Sequence, residues 1–131
     1  SKEFDEGCTY PVIDLMLEQK NVKGYGGTMR LGAYDCIVKQ GTKAEQVYGA
    51  NKISERHRHR YEVNNEYIEQ ISKAGLVFSG MSPDGMLAEM VEIPQNDWFV
   101  AAQFHPEFKS RPNRPHPLFL GLVTTACDRI K

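Results

Sequence analysis

Two short stretches of this chain carry residue types that could do chemistry. In QFHPEF, His105 follows an apolar run and is separated from Glu107 by one proline. A carboxylate within reach of an imidazole orients the ring and stabilises its cationic form, the supporting role in a nucleophile–His–acid triad. A histidine and a glutamate beside a proline are also common without any function. In ERHRHRYE, residues 55–62, arginine and histidine alternate between two glutamates. Such a run could bind nucleic acid, hold a metal, or present one arginine to an anionic small molecule.

Composition narrows these options. The chain has 131 residues with 16 Lys+Arg against 17 Asp+Glu, a formal net charge of -1. A dedicated nucleic-acid binder would show a basic excess, so no nucleic-acid partner is expected and the run is a local feature. With 40% hydrophobic and 25% charged residues the chain reads as one globular domain. No apolar stretch is long enough to span a membrane, so no membrane partner is expected. The three cysteines are odd in number and widely spaced, which fits neither a disulfide framework nor a CxxC metal site. A reducing cytoplasm is the expected compartment.

The run reads as a strand. Alternation would then place Arg56, Arg58 and Arg60 on one face and His57, His59 and Tyr61 on the other. The plain expectation is a solvated edge strand with its charges paired to nearby acids. Zinc held by His57 and His59 lacks a third ligand at a familiar spacing, so no metal site is expected.

The elements that must position these residues can be read along the chain. The run 11–17 suggests a buried strand, 21–27 a glycine-rich loop, and 28–39 a strand whose alternation shifts phase, with Gly32 as a candidate bulge. Thr42 and Glu45 form a capping box for a short helix that Gly49 stops. Asn64 or Asn65 caps a helix ending at Gly75. Residues 76–93 read as a hairpin around Ser-Pro-Asp-Gly. The run 98–104 is of buried-strand type, and the prolines of 105–117 preclude regular structure. Pro117 opens a last helix with Leu118, Leu122, Val123 and Ala126 on one stripe.

Taken together, GGTMRLG (26–32), ERHRHRYEVN (55–64) and QFHPEFKSRP (103–112) resemble the C-terminal half of the glutamine amidotransferase domain of the CTP synthase family. SKEF at the start and PVIDLMLEQ fit the same template, so the resemblance covers essentially the whole chain. It implies an α/β fold with a mixed sheet flanked by helices, part of a class I glutamine amidotransferase (flavodoxin-like) domain, with residues 1–131 as its C-terminal portion. It gives His105 and Glu107 the roles of triad base and acidic partner, and makes Glu3 and Arg60 glutamine-binding residues. An acid and an arginine match the ammonium and carboxylate of an amino acid, the arginine with bidentate capacity.

The resemblance further implies a cysteine nucleophile on a strand-to-helix elbow. Cys8, Cys36 and Cys127 all lack that setting, so the chain is expected to be the tail of a larger enzyme, inactive alone and leaving apolar faces uncovered. The parent would hydrolyse glutamine and pass ammonia to a synthase domain of the same polypeptide. That domain would aminate UTP to CTP using ATP and Mg2+, with GTP as activator, in a homo-oligomer. No cofactor is expected in this segment. Two other readings stand beside this one: a non-catalytic amidotransferase-like module that binds an amino acid or a partner, and a gamma-glutamyl hydrolase relative.

Overall fold

The computed structural model describes residues 1–15 and 29–130. The glycine-rich stretch 21–27 and the first residues of GGTMRLG lie outside the described residues. Two sheets organise the rest. Strands β1 (Ile13–Leu15) and β4 (Tyr61–Val63) pair antiparallel. Strands β2 (Arg30–Val38), β3 (Lys52–His59), β5 (Val77–Met81), β6 (Ala88–Glu92) and β7 (Val100–Ala102) form the second sheet in the order β3-β2-β5-β6-β7. Every pairing within it is antiparallel among the described residues.

Local chemistry sets the connections. The short helix α1 (Lys43–Tyr48) starts at Thr42, whose hydroxyl accepts from the Glu45 amide, while the Glu45 carboxylate accepts from the Gly41 amide at 2.7 Å. Gly49 ends it with φ of 63°, a left-handed conformation that costs glycine little. Asn64 caps a 3-10 turn at Asn65–Tyr67 that runs into α2 (Ile68–Lys73). The hairpin around Ser-Pro-Asp-Gly joins β5 to β6 as expected.

Gly32 is not a bulge. The β2–β3 register runs without a slip from Arg30↔His59 to Ile37↔Lys52, and the irregularity falls instead between Phe78 and Met81. One face of β2 carries Arg30, Cys36 and Val38 inward; the other leaves Leu31 and Ile37 exposed. The apparent phase shift in the sequence arises from apolar residues on the outer face.

The last helix, α3 (Pro117–Asp128), does begin with Pro117 at its first position. Its inward residues are Leu118 and Gly121, while Leu122, Val123 and Ala126 are exposed. Gly121 explains the shift of stripe. A methyl group there would lie 2.2 Å from the Trp98 ring and 2.9 Å from Val47, so only hydrogen fits at this crossing. The core beneath is Cys36, Val38, Ala44, Met90, Phe104 and Leu118, with α1 and α3 covering one side of the sheet.

The sheet curls strongly. β3 and β7 are its two edges, yet the chain leaving β7 returns to β3: the Gln103 amide donates to the Glu89 carbonyl at 2.9 Å, and the His105 amide to the Arg56 carbonyl at 2.8 Å. The run 98–104 is therefore a half-exposed edge strand that delivers Phe104, 3% exposed, into the interior of the curl.

Gly121→Ala tests the helix crossing. Its gain in helix propensity, about 1 kcal/mol, should be outweighed by overpacking against Trp98, typically about 1–3 kcal/mol. A lower Tm is the expected result, read by thermal denaturation; an unchanged or higher Tm would show that the helix can lift away without loss.

Candidate active site

His105 lies just past β7 and opens a 3-10 turn, Pro106–Phe108, with Pro106 fixing the chain direction. That turn brings the Glu107 carboxylate to 2.8 Å from His105 Nδ1. Both side chains are accessible, at 37% and 56% of full exposure. Glu107 is held below the usual carboxylate range by hydrogen bonding to its own backbone amide and then by the His105 ring. An ionised Glu107 accepts from Nδ1–H, which leaves the Nε2 lone pair of His105 directed away from the pair. A ring so arranged can take a proton from an acid that approaches Nε2.

The loop carrying this pair is fastened to β3 at several points. Besides the His105 amide, Lys109 Nζ donates to the Ser54 carbonyl and lies 3.6 Å from Glu55. At the loop's far end His116 is 3% exposed and N-caps α3, its Nδ1 accepting from the Leu118 amide. Its proton is therefore on Nε2, which donates to Glu55 Oε1 at 2.9 Å. The Tyr48 hydroxyl donates to the same oxygen at 3.0 Å, and burial holds that phenol protonated far above its ordinary range. Glu55, 1% exposed, thus joins β3, α1, the loop and α3.

The alternating run divides as expected as far as His59. Arg56 and Arg58 are exposed; Glu55 and His57 are buried and His59 half-buried. The histidine face is not solvated, however. His57 Nδ1 and His59 Nε2 are 2.8 Å apart, His59 Nδ1 is 3.4 Å from Glu62, and His57 Nε2 is 3.6 Å from Glu89. Arg30 ion-pairs with Glu89 at 2.6 Å and lies 3.8 Å from Glu62. Nitrogens facing each other at hydrogen-bond distance leave no room for a shared ion, since zinc needs about 2 Å to each ligand. No cluster of three or more metal-ligating side chains occurs among the described residues.

Proton accounting explains why this buried group is tolerable. Glu62, His59, His57 and Glu89 form a chain with three links. Two neutral imidazoles supply a proton each, and one proton shared by the two carboxylates supplies the third. With Arg30 the cluster is then neutral. Burial accordingly pushes Glu62 up to about 7 and raises Glu89, and lowers His57 to about 3 and His59 to about 4, with the Arg30 charge adding to the depression of both rings.

Strand pairing ends at Arg60, a half-buried residue between β3 and β4, so Arg60 does not continue the exposed arginine face. Glu3 is exposed on the N-terminal segment. That segment is tied to β1 by the Lys2 amide donating to the Ile13 carbonyl and by a 3.0 Å Lys2–Asp14 ion pair. Asp14 lies opposite Glu62 on β4. Glu3, Arg60 and His105 therefore sit on segments fastened to the β3–β4 stretch. Of the cysteines, Cys36 is fully buried and its thiol is pushed up to about 12 by burial, which makes it unreactive.

Reading the sequence alone missed Glu55, His116, Arg30, Glu62 and Glu89. His116 carried a signal, since it directly precedes a proline at a helix start. Glu55 shares the phase of His57 and His59. Arg30, Glu62 and Glu89 gave no signal, because nothing local says that a strand charge faces a closed interior.

Comparison with known proteins fits this geometry. Residues 6–125 match the family model for class I glutamine amidotransferases. The chain belongs to that family. Among its relatives, a CTP synthase of Staphylococcus epidermidis is 59% identical over 98% of this chain and 24% of its own length. A CTP synthase of Staphylococcus aureus is 60% identical over 94% of this chain and 23% of its own. The chain thus spans about a quarter of these relatives. The glutaminase domain of Trypanosoma brucei CTP synthase, solved with bound acivicin, superposes with a TM-score of 0.90 at 37% identity, covering 98% of this chain and 50% of that one. A GMP synthase protein from Thermoplasma acidophilum shares the fold, with a TM-score of 0.54 at 14% identity, covering 77% of this chain and 46% of that one.

The buried chain makes a pH prediction. A carboxylate raised from 4.5 to about 7, as Glu62 is, contributes stability that is full below 4.5 and lost as pH rises through 7. Histidines lowered from 6.5 to about 3 and about 4 contribute stability present above 6.5 and lost as pH falls through those values. Between 4.5 and 6.5 the two kinds of group oppose each other. Glu62→Gln removes part of the compensation, so unfolding free energy should fall more steeply on acidification across this window than in the unmodified protein. Urea denaturation at a series of pH values reads the slope, and an unchanged slope would sink the shared-proton account.

Proposed function

We propose that this chain supplies the base, its acidic partner and part of the substrate-binding wall of the glutaminase site of a CTP synthase. The observation that carries the reading is the 2.8 Å contact between His105 Nδ1 and Glu107 on a loop anchored to β3. The high similarity to CTP synthases supports the choice within the family.

In this reading a cysteine from a part of the polypeptide outside this chain gives its thiol proton to His105 Nε2 and attacks the side-chain amide carbon of glutamine. The developing imidazolium is stabilised by Glu107. His105 then returns the proton to the leaving nitrogen, the C–N bond breaks, and ammonia departs from a thioester. Water, deprotonated by the same ring, cleaves the thioester and releases glutamate. Arg60 pairs with the α-carboxylate and Glu3 with the α-ammonium. Ammonia passes to a synthase domain that aminates UTP to CTP with ATP and Mg2+, under GTP activation, in a cytoplasmic homo-oligomer serving pyrimidine nucleotide synthesis.

The test is ammonia release from glutamine, measured on this chain alone and on the chain joined to the segment bearing the nucleophile. The chain alone should be inactive and the joined protein active. His105→Ala should lower the joined protein's kcat by about 10²–10⁴-fold, the usual worth of a general base. Release by the chain alone that Cys36→Ala or Cys8→Ala abolishes would overturn the placement of the nucleophile. A joined protein that binds glutamine without releasing ammonia would favour a binding module.

A further inference from the structure

The glutaminase reading gives Arg60 a role and leaves the two histidines before it without one. Arg60 occupies the break between β3 and β4, with His59 as the last residue of one strand and Tyr61 as the first of the next. His59 Nδ1 lies 3.2 Å from the Tyr61 carbonyl, so the ring reaches across the residue between them. A carbonyl only accepts, so the contact is made when Nδ1 carries the proton. The other ring nitrogen of His59 abuts His57 Nδ1 at 2.8 Å. His57 is 1% exposed, faces Glu89 at its far end, and packs edge-on against Tyr34 and Phe104. The His59 ring is therefore stopped at both ends, by the turn on one side and by a buried column on the other.

An imidazole suits this place for a physical reason. It presents a donor and an acceptor at opposite sides of a rigid plane and does so while neutral. A cation would stand one residue from Arg60 and near Arg30, where like charges repel.

We propose that His59, braced by His57, is a positioning residue that sets the β3–β4 break and with it the direction in which Arg60 meets the carboxylate of glutamine. The inference rests on the reading of Arg60 as a substrate-binding residue. A guanidinium engages a carboxylate through two parallel hydrogen bonds, so a small rotation of its backbone pivot spoils both.

The test uses the polypeptide that joins this chain to its nucleophile-bearing segment, with ammonia release followed over a range of glutamine concentrations. His59→Leu fills the volume without a donor. His59→Asn places an amide N–H where Nδ1 stands and retains the bond to the Tyr61 carbonyl. The expected result is a rise in KM of about tenfold or more for His59→Leu with kcat changed by less than about threefold, and recovery of most of the KM in His59→Asn. Arg60→Lys is the control and should raise KM at least as much. Should His59→Leu fail to fold by thermal melting, His59→Gln takes its place, because its longer amide cannot stand where Nδ1 does. If Arg60→Lys raises KM and the donor-lacking variant does not, the inference fails and the reading of Arg60 stands. If Arg60→Lys leaves KM unchanged, that reading fails and the inference with it. A drop in kcat as large as the rise in KM would mark a general structural role and overturn the proposal.

Discussion

One hydrogen bond organises the site: the His105 amide donating to the Arg56 carbonyl. It joins the chain leaving one edge of a five-stranded sheet to the strand at the opposite edge, and so closes the curl. Without that closure the interior column of His57, Phe104 and Glu89 would open to water. With it, the base is held against the strand whose end leads into Arg60. The anchoring of the 105–116 loop by Lys109 and His116 to Ser54 and Glu55 repeats the same connection at side-chain level. Fold and chemistry meet on one strand because both edges of the sheet end there.

The interior of the curl is polar, which carries an energetic cost. Burying an ion pair loses several kcal/mol of hydration per ion and rarely repays it in stability. Leu, Val or Met in place of Arg30, Glu62, Glu89 and the two histidines would pack without that cost. What an apolar core would not supply is direction. Hydrogen-bonded rings hold one orientation, whereas aliphatic side chains tolerate several. A site that must present a guanidinium and an imidazole at fixed angles draws on the polar alternative.

Much of this was legible in the sequence, for reasons that differ by element. The capping box at Thr42 and Glu45, the proline at the start of α3 and the turn at Ser-Pro-Asp-Gly are local signals with local causes, and each stands where it was expected. The His105–Glu107 contact was readable because a proline between two residues leaves them few ways to be apart. The stripe on α3 was misread because Gly121 buries no side chain and so gives no hydrophobic signal, although the helix approaches Trp98 there. The bulge assigned to Gly32 failed because exposed Leu31 looks like a core residue to any pattern. The face of the run was found, but its burial was not, since burial depends on the sheet edges meeting and that is decided far away in the chain.

The closing bond also has a bearing on the order of assembly. The β2–β3 and β5–β6 pairs connect neighbouring segments and need only short loops to close. The contact between Arg56 and His105 spans much of the chain, and its loop entropy is recovered only after the strands between them are already in place. The catalytic loop is thus the last part of the sheet to be seated during folding. A chain caught short of that step has most of its strands paired and an open, polar-lined seam, with the base still unplaced beside it.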